Sequence, residues 1–282
     1  MQTQVDATAL KQREHSTWTA VAPGWRKHDE RLTQITKPVT ERLLDLAGVG
    51  LGHHVLDIAC GTGEPAIPAA LRVRDGHVVA TDFVEEMLAF AREKAAAKGV
   101  RNVEFRRADG EGLSFPDASF DAVTVRFGLM FMPTPLACLT KAHQVLRPGG
   151  RIAVACWAGP EENLWASLPM RVIRRELEMP APPPGSPGLF AFADRSRLES
   201  VLKEAGFRNV VAEPVKVRMS DFDSGAEYFT WTRELAGPVA TLFAQLPPQK
   251  QTAVKSEIEK SAAGADGRVV YDGVTWVACG VK

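Results

Sequence analysis

Between residues 54 and 157 the chain keeps switching period. Short apolar runs, HVLDIA (54–59), HVVATD (77–82), VEFRRAD (103–109), FDAVTVR (120–126) and RIAVACW (151–157), alternate with segments of helical spacing. Parallel strands cannot be joined by a hairpin and need a crossover, so this alternation predicts an α/β fold with a doubly wound, mostly parallel sheet covered by helices. The helices have readable ends. In 83–98, Met87, Phe90, Ala91 and Lys94 fall at helical spacing and Gly99 supplies a stop; Thr134-Pro135 offers an N-cap and a first helical residue, and Arg147-Pro-Gly-Gly150 leads into the fifth strand. After the first strand, Pro65 suits a first turn, but Pro68 would remove a needed donor from a helix begun at Glu64. A late or distorted start is expected there.

Outside this stretch the pattern is looser. Residues 9–50 read as helices, with Pro38 near the start of one whose stripe is Val39, Leu43, Leu46 and Ala47 and whose stop is Gly48. The run MPAPPPGSPG (179–188) is too proline-rich for regular structure and predicts a surface loop. A helix at 194–205, a strand at 209–217, a helical region at 223–261 and a last strand at 274–281 follow. The resulting division is an N-terminal helical lid (1–50), a ligand-binding core (51–157), a proline-rich insert (158–193) and a completion of the sheet carrying a helical insert on the substrate side (194–282), all in one structural domain. A chain of 282 residues buries enough surface to need no disulfide or metal for stability. Lys plus Arg and Asp plus Glu both number 34, so nothing in the charge balance suggests nucleic acid or an anionic membrane as partner. The four cysteines are widely spaced, and the opening residues lack an apolar leader. Reduced thiols and a cytoplasmic location are expected.

The stretch VLDIACGTGEPA (55–66) resembles a dinucleotide turn, with Gly61, Gly63 and a small residue, Ala66, in place. Yet Asp57 stands just before it. A carboxylate about 5 Å from a pyrophosphate in a partly dry site repels it by several kcal/mol. The turn therefore calls for a ligand with a nucleoside at one end and a cation near the glycines. S-adenosylmethionine has both, and its ammonium would meet Asp57.

On these residues the sequence resembles the class I S-adenosylmethionine-dependent methyltransferases, whose first motif reads D-x-G-x-G-x-G. Here it is Asp57-Ile-Ala59-Cys-Gly61-Thr62-Gly63, with Ala59 in place of the first glycine. Asp82, ending the second strand, matches the acid that accepts the ribose hydroxyls. Asp109, in RADGEGLSFPDASFDAV, matches the acid that accepts from the adenine amino group, with Gly110 where a small residue is usual. LRPGGRIAVACW matches the turn and fifth strand. The resemblance implies a seven-stranded Rossmann-like sheet with an antiparallel C-terminal strand, and S-adenosylmethionine as cofactor. Read from the residues alone, Asp82 and Asp109 are also good helix caps, and Phe83 and Met87 either pack on adenine or belong to helix core. Arg126 either offers its backbone to the methionine moiety or is a solvated strand end. Trp18 and Trp25 are similar to the aromatic N-terminal segment that folds over the cofactor in the ubiquinone/menaquinone-biosynthesis type; otherwise they anchor the N-terminal helices.

Methyl transfer from a sulfonium is an in-line displacement, so positioning and desolvation carry much of the acceleration, and a base is needed only when the acceptor must lose a proton. Many small-molecule O-methyltransferases of this class have a His after the fourth strand. Here Phe131 stands near that place, and no catalytic residue is assigned. His143 lies on a stripe with Leu136, Leu139 and Leu146 and reads as packed; His53-His54 reads as loop without metal spacing; Cys60 reads as small filler. Phe222, Tyr228, Phe229 and Trp231 would suit an apolar pocket wall, a helical core or a dimer contact. The expected function is methyl transfer to a small, apolar or aromatic acceptor, with no metal, no nucleic acid and no membrane insertion, and with a homodimer left open. The alternatives are an NAD-dependent oxidoreductase and a non-catalytic cofactor-binding protein.

Overall fold

Strand β1 (His54–Ile58) lies in the middle of a seven-stranded sheet that also contains β2 (His77–Asp82), β3 (Val103–Arg107), β4 (Phe120–Arg126), β5 (Leu146–Trp157), β6 (Arg208–Phe222) and β7 (Val269–Val281). The computed structural model describes residues 7–282; residues 1–6, the start of the stretch read above for a leader and of the 1–50 segment, lie outside the described residues. The strand order is β3-β2-β1-β4-β5-β7-β6, with β1 to β5 paired in parallel and β7 antiparallel to both neighbours. The expected architecture is met, antiparallel last strand included. Chain direction across the sheet reverses between β1 and β4, the switch point at which such sheets open a crevice beyond their carboxyl ends. The central strands are buried throughout: Val55, Leu56, Ala122, Val123, Ile152 and Val154 have no exposed surface. This accounts for their near-continuous apolar sequence.

The helices are α1 (Ala7–Lys27), α2 (Asp29–Leu46), α3 (Ala66–Val73), α4 (Glu85–Ala97), α5 (Pro135–Val145), α6 (Leu164–Glu176), α7 (Arg195–Glu204), α8 (Gly225–Leu235), α9 (Gly237–Ala244) and α10 (Pro248–Ala262). As expected, α3 starts late, at Ala66, so Pro68 falls in the first turn where its missing N–H costs nothing. Pro38, expected near a helix start, instead lies inside α2. The helix runs through it because Thr36, Val39, Thr40 and Leu43 continue one buried stripe across the proline, and packing outweighs the lost bond. His54, read both as the first residue of the 54–59 run and as loop with His53, opens β1 and donates its N–H to Asp121. Phe222, Tyr228, Phe229 and Trp231 are all buried, and the Tyr228 hydroxyl donates to the Trp165 carbonyl at 2.6 Å; they form the interior of the α8–α10 region. None of the described helices is long and apolar enough to cross a membrane. All four cysteines are free.

Two helices bring the N-terminal region over the switch point. α2 lies across β4, β5, β6 and β7, while α1 packs on α4, α8 and α9. Trp25 Nε1 ties α1 to the Leu235 carbonyl of α8 at 2.9 Å.

Candidate functional site at the carboxyl ends of β1, β2 and β4

β1 ends by delivering Asp57 into the sheet interior. Its side chain has no exposed surface, and Oδ1 accepts a hydrogen bond from Thr124 Oγ1 of β4 at 2.8 Å. Oδ2 is sealed from solvent without a well-formed hydrogen bond among the described residues, although the Ala66 N–H at the start of α3 also acts on this carboxylate. Burial pushes this carboxyl up to about 7, against the opposing pull of the Thr124 bond, the Arg126 guanidinium and the Ala66 N–H; Glu64 adds to the rise. A half-satisfied buried carboxylate is costly and calls for a donor or a cation.

The chain then bends through left-handed conformations at Ala59 (φ 57°), Gly61 (φ 52°) and Gly63 (φ 93°). For Ala59 this costs about 1 kcal/mol or more, which a glycine would avoid. The alanine is accommodated from the neighbouring loop: a Cβ on Gly128, just after β4, would collide with the Ala59 methyl. At Gly61 a Cβ would meet nothing within 4 Å, so this part of the bend faces open space, whereas at Gly63 it would come within 2.8 Å of Ile67 Cδ1. Gly63 therefore serves helix packing and Gly61 leaves room for a ligand. Thr62, between them, is buried.

Asp82 braces the bend. Its Oδ2 accepts from Gly61 N and its Oδ1 from Val84 N, both at 2.9 Å. Burial raises its pKa, and the Val84, Gly61 and Phe83 N–H groups oppose the rise. Phe83 is half-buried with its ring edge-on to His15 of α1 at 5.6 Å, while Met87 packs with Ala22 and Val84 in a small cluster, the helix-core alternative. Asp109 caps the short 3₁₀ turn Gly110–Gly112 through Oδ1, which accepts from Glu111 N at 2.9 Å, and its Oδ2 pairs with Lys11 of α1 at 2.5 Å. Gly110 is needed as glycine, since a Cβ there would lie 2.9 Å from Ile58 Cγ2 and 2.7 Å from Met132 Cε.

Arg126 is not the solvated strand end considered above. Its guanidinium turns inward and donates to Thr36 Oγ1 at 2.6 Å and Thr40 Oγ1 at 3.2 Å on α2, and its Nε is buried with no partner among the described residues. Burial lowers its pKa against the attraction of Glu64, Asp57 and Asp29. A sequence without tertiary contacts gave no sign that α2 would present two threonines here. Next to it Phe127 adopts φ 61°, a strained conformation for an aromatic residue, and stacks on Trp157 at 4.5 Å with the rings within 4° of parallel. Trp157 in turn meets Trp165 edge-on at 5.0 Å. On the α1 side Phe131 meets Trp18 at 4.9 Å, and Trp18 meets Trp25 at 6.1 Å, so the three residues singled out from sequence as lid or substrate contacts form one aromatic group.

A buried charge network was missed. Lys94 of α4 bonds Asp29 of α2 at 2.8 Å and Glu64 of the bend at 3.2 Å, with Lys94 and Glu64 almost wholly buried. The signal was present, because Lys94 continues the stripe of Met87 and Ala91 where a lysine is out of place without a partner. Elsewhere His143 lies half-buried against Phe207 at 5.1 Å, its pKa lowered by burial, Lys282 and Arg208, and touches none of the groups just described. Cys60 is buried in the bend, and burial beside Asp82 and Asp57 holds its thiol well above the ordinary range, as filler rather than nucleophile.

The arrangement fits an adenosyl ligand with an amino-acid tail: a buried carboxylate oxygen short of a well-formed hydrogen bond, a glycine opening onto free space, and an acid at the end of β2. Known proteins agree. A family model described as a methyltransferase domain matches residues 55–150. Demethylmenaquinone methyltransferase of Listeria monocytogenes is 35% identical over 51% of this chain and 55% of its own. The same-named protein of Clavibacter sepedonicus is 37% identical over 56% of this chain and 67% of its own. This chain thus spans about half the length of the first of these relatives and two thirds of the second. Among solved structures, the YcgJ protein of Bacillus subtilis shares the fold, with a TM-score of 0.59 and 19% identity over 86% of this chain and 97% of that one.

Proposed function

The chain belongs to the class I S-adenosylmethionine-dependent methyltransferases of the ubiquinone/menaquinone-biosynthesis type, and on that premise we propose that it moves the methyl group of S-adenosylmethionine to a small acceptor of apolar or aromatic character. The observation that carries this reading is Asp57: a buried carboxylate with one oxygen short of a well-formed hydrogen bond, at the foot of a bend that is open at Gly61. A diphosphate over that bend would meet a buried carboxyl where it needs a donor or a cation, which disfavours a nicotinamide dinucleotide.

Bound there, S-adenosylmethionine supplies an electrophilic sulfonium methyl whose leaving group is a neutral thioether. The chain's own residues supply positioning. Asp57 Oδ2 receives the ammonium, Gly61 lets the backbone approach, and Asp82, with lone pairs beyond those used by Gly61 and Val84, receives the ribose hydroxyls. Asp109 and Gly110 flank the adenine end. In this reading α1 and α2 are the cover that excludes water, and the two aromatic groups, Phe127–Trp157–Trp165 and Phe131–Trp18, wall the acceptor. The acceptor class is supported by these rings and by the names of the relatives, both of which act on a demethylated menaquinone.

The experiment is transfer of labelled methyl from S-adenosylmethionine to a panel of phenols, quinols and amines. Label in an aromatic hydroxyl compound supports the reading. Tight binding of S-adenosylhomocysteine with no transfer to any member would leave a cofactor-binding protein instead, and tighter binding of NAD than of S-adenosylhomocysteine would overturn the class.

A further inference from the structure

The acceptor side of the site lacks an evident proton acceptor after β4, where Phe127, Gly128, Leu129, Met130 and Phe131 follow one another. α1 provides one. Lys11, Glu14 and Trp18 stand three and four residues apart, on one helix face. Both ends of that face are fixed against the site: Lys11 Nζ bridges Asp109 at 2.5 Å and Glu111 at 2.6 Å, and the Trp18 ring lies on Phe131 at 4.9 Å. The floor beneath is continuous. Glu111 accepts the N–H of Thr134 just beyond Phe131, and Gly110 allows Met132 to approach. Glu14 is therefore held between the adenine-side acid and the aromatic residue that follows β4.

The fold engages its carboxylate only loosely, through Arg13 on the solvent side and the Trp18 indole N–H beside it. Oε1 has a long, solvent-side contact with Arg13 at 3.5 Å, while Oε2 is sealed from solvent without a well-formed hydrogen bond among the described residues, the Trp18 indole being the donor at hand. A surface glutamate on a helix normally turns both oxygens to water. One that buries an oxygen without a well-formed hydrogen bond carries the same unmet demand as Asp57, at the other end of the site.

Resting on the methyltransferase reading above, we infer that Glu14 is the general base of the acceptor site, with Oε2 receiving the hydroxyl of a hydroxyarene. The proton passes from the acceptor oxygen to Oε2. For O-methylation the oxygen then bonds the methyl carbon as the sulfur–carbon bond breaks, its electron pair remaining on sulfur; for C-methylation an ortho ring carbon forms that bond instead, and its own proton then passes through water to the ring oxygen, restoring the hydroxyl. In either case Glu14 returns its proton to water as product leaves. Burial raises the Glu14 pKa, against the charge of Arg13 and the hydrogen bonds of Arg13 and Trp18, which makes it a stronger proton acceptor than a solvated glutamate. Lys11 and His15 share α1 with it; Lys11 pairs with Asp109 and Glu111 of the 3₁₀ turn, and Asp82 of β2 feels His15.

The test compares binding of 1-naphthol and 1-methoxynaphthalene, by calorimetry, to the wild-type chain and to Glu14→Gln, both saturated with S-adenosylhomocysteine. Wild type should prefer the naphthol at least tenfold at pH 8 and lose that preference as pH falls and Glu14 protonates. Glu14→Gln, nearly the same shape, should show less than threefold preference at every pH, with S-adenosylhomocysteine affinity within twofold of wild type and methyl transfer to 1-naphthol lowered about 100-fold. A variant that keeps the preference, or that loses S-adenosylhomocysteine binding, overturns the inference. Naphthol bound by wild type but never methylated confines Glu14 to holding the hydroxyl and overturns its role as base. A wild type that binds neither naphthalene refutes the aromatic-acceptor reading itself, and the inference with it.

Discussion

Replacing Asp57 by Asn separates the cost that the site imposes on the fold from the use made of it. Asn retains an oxygen for Thr124 and removes the charge. In the folded chain burial holds the carboxyl at about 7, against a value of 3.8 for the unfolded residue. The folded pKa is the higher one, so this group's contribution to stability is complete below about pH 4. It is lost as pH rises to about 7, by an amount of up to ~4 kcal/mol. Asp57→Asn removes that penalty, and the ligand-free variant should melt above wild type at pH 8 and level with it near pH 4. Binding should move the opposite way. Between pH 6 and pH 8 the ionised fraction of a group with a pKa near 7 rises roughly tenfold, so wild-type affinity for S-adenosylhomocysteine should rise roughly tenfold over that range. The variant should bind weaker by about 1.5–3 kcal/mol at pH 8, the worth of a hydrogen bond to a charged group, and show no such pH dependence. Calorimetric titration across the pH range, with melting curves alongside, measures all of this. An Asp57→Asn chain that binds as tightly as wild type, or a wild type whose affinity is flat from pH 6 to 8, would refute the electrostatic argument.

Two further substitutions probe the frame around that carboxylate. Asp82→Ala should weaken S-adenosylhomocysteine binding by more than ~1 kcal/mol, read by the same titration, and should also lower the melting temperature because the Gly61 and Val84 N–H groups lose their acceptor. Lys94→Met, which fills similar space, strands Asp29 and Glu64 without their cation and should cost about 3–5 kcal/mol in a denaturant titration; a loss under ~1 kcal/mol would show that the network is screened by water.

Much of the fold was legible because the signals were local. Strands β2 and β4 have the bounds read from HVVATD and FDAVTVR, and the late start of α3 follows from Pro68 alone. The glycine bend and the acids at 57, 82 and 109 were legible because each lies beside a strand end whose position the apolar runs define. Pro38 was misjudged because local propensity makes a proline a helix start, whereas buried contacts on both sides carried α2 through it. Arg126, Lys94 and Glu14 share another cause. Each has its meaning only through a partner, or the lack of one, on an element distant in sequence: Thr36 and Thr40 on α2, Asp29 and Glu64, and the site floor under α1. No spacing within their own segments reports that.

The account stands on what Asp57 faces. A crystal structure of the chain with S-adenosylhomocysteine reads this directly. The amino group of the ligand should lie within hydrogen-bond reach of Asp57 Oδ2, or one water away, with the ribose at Asp82. A ligand whose amino-acid tail points away from Asp57, or a bend that instead takes a diphosphate, would contradict it.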